Sequence, residues 1–222
     1  MNVARERLLL YAVTDRAWLN SAPAGCNTLA RQVEEAILGG VTLVQIREKQ
    51  VGEADFIAQA RQLKHVTDKH GVPLIVNDSL AVTLASDADG LHIGQDDGDV
   101  RLTRTRLGAN KILGVSVQTV KQALAAEAEG ADYLGVGAVF PTSTKSDAAE
   151  VSLAALAEIC AAVHVPVVAI GGVHAGNMKA LTGTGIAGVA VVSALFAQPD
   201  RVRAAAQELR SLAAEVCAPR RA

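Results

Sequence analysis

The sequence predicts an α/β fold, a closed parallel barrel of the (β/α)8 TIM-barrel class. Three observations carry that expectation. Short apolar runs alternate with alanine-rich, helix-patterned segments eight times along 222 residues. Half of the residues are apolar, only 3% are aromatic and 19 are glycine, a composition suited to a close-packed α/β core. No G-x-G-x-x-G follows the first strand, which argues against an open doubly wound sheet; "GVGAVF" (135–140) lies inside the sixth run and is not that fingerprint.

The elements follow in order. The strand runs are "LLLYAVTD" (8–15), "TLVQIREK" (42–49), "PLIVND" (73–78), "GLHIGQ" (90–95), "KILGVSV" (111–117), "YLGVGAVF" (133–140), "PVVAIGG" (166–172) and "GVAVVSAL" (188–195). Between them the helical pattern covers Thr28–Leu38, Glu53–His70, Thr119–Glu129 and Ser152–Ala162, among others. Gly39–Gly40, Glu129–Gly130 and "TGTG" (182–185) mark helix ends. The last helix is expected to begin near Pro199, as a first-turn proline, and to run toward Ala214. No linker or composition break divides the chain. Residues 1–222 therefore read as a single (β/α)8 barrel domain whose tail, 215–222, is expected to fray.

The bulk properties exclude several functions. A net charge of −2 provides no broad basic surface for nucleic acid or a membrane. Cys26, Cys160 and Cys217 are scattered without metal or redox spacing and read as reduced thiols of a cytosolic protein. "LLLYAV" (8–13) is too short for a signal-peptide core, and no apolar run reaches the roughly 18 residues of a membrane span.

The second run poses the functional question. Val44 and Ile46 fall on one strand face, while Gln45, Arg47 and Lys49 fall on the other. In a barrel that second face points inward or out of the mouth, where a charge is costly unless it is paired or bound. Barrel sites sit at the C-terminal strand ends. Thr14, Asp15, Asn77, Asp78, His92, Gln95, Asp96, Asp97, Ser116, Gln118, the segment "PTSTK" (141–145), Gly171, Gly172 and Ser193 all fall there. Arg47, Lys49 and Lys145 beside Asp78, Asp96 and Asp97 suit a magnesium–polyphosphate ligand. Magnesium takes one or two carboxylates, and the cations neutralise the remaining phosphate charge. A competing reading makes the aspartates turn and cap residues, since Asp78–Ser79 and Asp97–Gly98 precede helices. The Gly-Gly after strand seven and the small, serine-bearing end of strand eight match the common phosphate cradle of the fold, and a tight turn that needs glycine is the competing reading of the Gly-Gly. No nucleophile stands out. Cys160 falls in a helix, Ser116 has no evident His–Asp partners, and His92 suits a packed interior position as well as a mouth position. The site reads as one built for electrostatics.

At these residues the chain resembles the thiamine-phosphate synthase (thiamine-phosphate pyrophosphorylase) family. The resemblance spans roughly Leu8 to Phe196 and rests on "YAVTD", "GGVTLVQIREK", "LIVND", "GLHIGQDD", "LGVSV", "GADYLGVGAVFPTSTK", "VVAIGGV" and "VAVVSALF" in family order. It implies a cytoplasmic transferase of thiamine biosynthesis. Such an enzyme joins 4-amino-5-hydroxymethyl-2-methylpyrimidine diphosphate to 4-methyl-5-(2-phosphoethyl)thiazole, or its carboxylated form, and releases pyrophosphate. By the same resemblance, Arg47, Lys49, Ser116 and Lys145 are catalytic. Gln45, Arg47, Lys49, Asn77, Ser116 and Lys145 hold the pyrimidine diphosphate, and Glu48 is a further substrate-binding residue. Asp78 and Asp97 bind Mg2+, and Thr142, Ser143, Thr144, Gly172, Val192 and Ser193 hold the thiazole phosphate. The implied mechanism is dissociative: pyrophosphate leaves first, and the thiazole nitrogen captures a pyrimidine-methyl cation.

Two residues depart from the family pattern. Gln118 stands where many relatives carry histidine, and Glu150 stands near a position that is often glycine. The first bears on a thiazole tautomerase paralogue, which uses a histidine there for isomerisation. A non-catalytic phosphate-binding paralogue would be expected to lose a cation or a magnesium aspartate, and none is missing. The partners implied are small molecules, with no nucleic acid or membrane; the oligomeric state is not legible.

Overall fold

The computed structural model describes residues 3–49, 51–142 and 150–218. Eight parallel strands close in sequence order into a barrel: β1 (Leu10–Val13), β2 (Leu43–Ile46), β3 (Leu74–Asn77), β4 (Gly90–Ile93), β5 (Ile112–Val117), β6 (Tyr133–Val136), β7 (Val167–Ile170) and β8 (Gly188–Val191). Closure comes from β1 against β8, with Leu10 opposite Val189. The α-helices are α1 (Leu29–Leu38), α2 (Glu53–Lys69), α3 (Leu80–Ser86), α4 (Val100–Leu107), α5 (Val120–Ala128), α6 (Leu153–Ala162), α7 (Ser193–Phe196) and α8 (Val202–Val216). The (β/α)8 class expected from the alternation is the architecture observed.

The two faces of each strand enter different cores. Val44, Ile46, Val76, Leu91 and Val115 pack with Val33, Leu63, Leu156 and Leu209 of the helices. The alternate residues Tyr11, Leu43, Ile75, Ile112, Tyr133, Val168 and Ala190 fill the barrel interior. Helix starts are set locally: Thr28 accepts from Arg31 N, and Thr119 with Gln122 forms a reciprocal cap on α5.

Two elements differ from expectation. The seventh unit carries a 3-10 turn, Met178–Leu181, in place of an α-helix. Gly183 and Gly185 follow it with positive φ, turning the chain back into β8. The last helix starts at Val202, not near Pro199, because Arg201 N donates to Gln198 O and closes a turn first. No helix among the described residues is long and apolar enough to cross a membrane.

Candidate active site

Strand β2 delivers its residues as its parity requires. Gln45 is buried inside the barrel, where Nε2 donates to Tyr11 Oη at 2.6 Å. Arg47, next on that face, is half-buried at the mouth; its backbone N–H donates to Thr14 Oγ1 at 3.1 Å, and its charge acts on Asp78. Lys49 is exposed on the rim. Glu48 has the opposite parity. Its side chain is only 3% exposed and pairs with Arg16 Nε at 2.9 Å, and burial raises its pKa. The structure thus separates Glu48 from Gln45 and Arg47.

At the ends of β3 and β4, the two aspartates are free of capping duty. Ser79 caps α3, accepting from Val82 N, and Asp99 caps α4, accepting from Leu102 N at 2.7 Å. Asp78 sits in the left-handed region at φ 65°, a conformation that aspartate tolerates better than most residues. Its N–H donates to His92 O at 2.9 Å. Asp97 Oδ2 accepts from Gly94 N at 2.6 Å.

The Asp78 and Asp97 carboxyls are themselves hydrogen-bonded. Burial against the barrel end, then the bond to Asp97 and its charge, push Asp78 up to about 6, while Arg47 and Asn77 pull the other way. Both aspartates remain open to solvent on the mouth side. Two carboxylates close enough to share a proton offer a place where a divalent cation can replace that proton. Among the described residues, no group of three His, Cys, Asp or Glu side chains is arranged to hold a metal. The pair suits a cation that completes its shell with water and phosphate oxygens.

Across the mouth, Ser116 has a partner that sequence reading missed. Its Oγ lies 2.9 Å from His92 Nε2. The other histidine nitrogen faces Tyr133 Oη at 2.9 Å, with no carboxylate there. Burial lowers the pKa of His92 to about 4, so its ring is neutral. The register explains the meeting, since Asn77 lies opposite His92 and His92 opposite Gly114, two residues before Ser116. Inward parity could have placed all three on the same face; their adjacency required the register. Gln95 Nε2 donates to Ser116 O at 2.7 Å, and Gln118 is exposed at the start of α5, its N–H donating to Gln122 Oε1.

The second half of the mouth is formed by β6 to β8. Gly172 has φ 65°, and a Cβ there would lie 2.4 Å from Pro141 O and 2.7 Å from Phe140 O. Glycine is therefore required on two counts, and it lets the β6 loop, with Thr142, lie against the end of β7. Asn177 Nδ2 holds Gly172 O at 2.8 Å. Val192 and an exposed Ser193 follow β8 directly and begin α7. Ser143, Thr144 and Lys145 lie outside the described residues.

The family model described as thiamine monophosphate synthase matches residues 10–195. The chain belongs to the thiamine monophosphate synthase family. A thiamine-phosphate synthase of Clostridium tetani is 48% identical over 200 residues, covering 90% of this chain and 93% of that protein. A thiamine-phosphate synthase 2 of Streptococcus pneumoniae is 50% identical over 196 residues, covering 88% and 91%. The solved thiamine phosphate pyrophosphorylase of Pyrococcus furiosus is similar with a TM-score of 0.85 at 37% identity, covering 96% of this chain and 99% of that one. As a member of the thiamine monophosphate synthase family the protein is an enzyme, a transferase, and the resemblance seen in its motifs holds across the barrel.

Proposed function

We propose that the barrel mouth condenses 4-amino-5-hydroxymethyl-2-methylpyrimidine diphosphate with 4-methyl-5-(2-phosphoethyl)thiazole, or its carboxylated form, giving thiamine phosphate and pyrophosphate. The observation that carries this reading is the Asp78–Asp97 carboxylate pair beside Arg47, with both neighbouring helix caps supplied by other residues.

Gln45, Asn77 and Ser116 orient the pyrimidine diphosphate. Arg47, Lys49 and Lys145 receive the diphosphate charge. Thr142, Ser143, Thr144, Gly172, Val192 and Ser193 hold the thiazole phosphate. Asp78 and Asp97 would hold magnesium, which would supply Lewis-acid neutralisation of the pyrophosphate charge. The bond breaks dissociatively. Arg47 stabilises the charge that grows on the leaving oxygens, and the fixed thiazole nitrogen captures the pyrimidine-methyl cation. No strong base is needed, consistent with a neutral, buried His92. Both substrates are small and diffusible, which suits a cytoplasmic enzyme.

A thiazole tautomerase-like isomerase is disfavoured, because an exposed glutamine at 118 offers no acid or base and an isomerase has no use for the carboxylate pair. Pyrophosphate release measured with each substrate alone and with both, with and without magnesium, tests the proposal. Release that needs both substrates and magnesium supports it. Absence of release from folded protein under every one of these conditions contradicts it.

A further inference from the structure

The barrel interior holds a continuous chain of hydrogen bonds that joins opposite sides of the mouth. Gln45 Nε2 reaches Tyr11 Oη at 2.6 Å, Tyr11 Oη reaches Tyr133 Oη at 2.8 Å, Tyr133 Oη reaches His92 Nδ1 at 2.9 Å, and His92 Nε2 reaches Ser116 Oγ at 2.9 Å. Tyr11, Tyr133 and His92 are buried, so each proton in the chain must find an acceptor within it. Glycines make the room: a Cβ on Gly114 would lie 2.2 Å from the Tyr133 ring and 2.4 Å from His92 Nδ1, and one on Gly135 would lie 3.1 Å from the His92 ring.

The chain has two self-consistent directions, each the reverse of the other, and the orientation of the Gln45 amide selects between them. With its nitrogen on the Tyr11 side, that nitrogen can only donate, so Tyr11 accepts from it. If Tyr133 also donated to Tyr11, the Tyr11 proton would be buried without an acceptor, a loss of about 1–3 kcal/mol. Tyr11 therefore donates to Tyr133, and Tyr133 donates to His92 Nδ1. The imidazole proton then sits on Nε2 and points at Ser116 Oγ. The serine accepts from the histidine, and its own proton is left for the mouth. This is the reverse of a Ser–His pair that prepares a nucleophile.

Resting on the functional reading above, we propose that Tyr11, Tyr133 and His92 are positioning residues whose one-way hydrogen-bond chain fixes Ser116 as a donor to the pyrimidine diphosphate and turns the Gln45 carbonyl toward the mouth as an acceptor for the exocyclic amine. The same polarity withholds Ser116 from the pyrimidine-methyl cation, leaving that cation to the thiazole nitrogen. The two ends of the site are thereby matched, an acceptor on β2 and a donor on β5, by groups that never touch substrate.

The test combines a tautomer measurement with a mutant cycle. In wild-type protein labelled with 15N-histidine, the nitrogen spectrum of His92 should show the proton on Nε2; a proton on Nδ1 overturns the proposed direction. Tyr133→Phe keeps the ring and removes one link. It should raise KM for the pyrimidine diphosphate about 3- to 10-fold, the worth of a typical hydrogen bond, and leave KM for the thiazole phosphate unchanged. Tyr11→Phe should act in the same direction. In a Ser116→Ala background, Tyr133→Phe should raise KM by a smaller factor than in wild type, because the part of its effect that passes through the serine is gone and only the part that passes through Gln45 remains. Equal losses for both substrates, or the same loss with and without Ser116, mean a packing role and overturn the proposal. A wild-type enzyme that neither binds nor turns over the pyrimidine diphosphate overturns the functional reading instead, and the substrate role of the chain falls with it.

Discussion

Leu43 and Gln45 lie two residues apart on the same face of β2, yet they belong to different regions. Leu43 joins Ile75, Ile112 and Val168 in the lower barrel, an apolar plug sealed from solvent. Gln45 begins an upper layer with Asn77, His92 and Ser116, in which polar side chains replace methyl groups. Tyr11 and Tyr133 join the two: their rings pack edge to face in the plug, with centroids 5.9 Å apart, and their hydroxyls belong to the polar layer. The plug contributes stability through burial alone. The upper layer is tolerable in a dry interior because its groups satisfy one another, and the charges of Arg47, Asp78 and Asp97 appear only at the mouth.

Breaking the plug should have the largest effect, and on stability. Ile75→Ala removes a fully buried side chain from the lower layer and should destabilise by about 2–5 kcal/mol. Denaturant unfolding measures that loss, while KM for both substrates in the folded enzyme should stay near wild type. Loss of substrate affinity at unchanged stability would mean that plug and mouth are not separable.

Asp78→Asn should do the opposite. Turnover should fall on the order of 10²-fold through the weakened metal contact, with a higher magnesium requirement. The fold holds the Asp78 proton more tightly than an unfolded chain, where an aspartate titrates near 3.8. The neutral form is thus favoured on folding, and metal-free protein loses this contribution as pH rises through about 6. Asp78→Asn should therefore melt no lower than metal-free wild type at pH 7.5. In wild type, magnesium must displace the proton, so half-saturating magnesium should rise as pH falls below about 6. A requirement flat from pH 7.5 to 5 would remove Asp78 from the metal site.

Ser193→Ala should have the smallest effect, a several-fold rise in KM for the thiazole phosphate from one lost donor, with the pyrimidine diphosphate unaffected. A rise for the diphosphate instead would mean the two phosphate sites are exchanged.

The barrel was legible because period-2 and period-3.6 patterns alternate eight times, and the mouth was legible because charged residues follow apolar runs. The seventh helix was overestimated, since "NMKAL" gives no hint that a 3-10 turn suffices before two glycines. Asp78 and Asp97 could not be told from caps until Ser79 and Asp99 were seen in those roles. Glu48 enters the substrate contacts through the family motif alone; the ion pair that holds it, to Arg16 in the turn after β1, joins residues 32 positions apart and has no local sequence signal. The contact of His92 with Ser116 depends on the register between β4 and β5, which no local pattern encodes.

Whether the mouth stabilises charge as the diphosphate leaves is tested most directly at Arg47. Its guanidinium should bind more strongly as the ester bond breaks, and only such strengthening accelerates the chemical step. With both substrates and magnesium saturating, the single-turnover rate of Arg47→Ala should fall on the order of 10²-fold or more. Arg47→Lys should recover only part of that, because a point charge cannot reproduce a two-pronged contact. An Arg47→Ala enzyme with an unchanged single-turnover rate and only a raised half-saturation concentration would make Arg47 a binding contact and contradict the account.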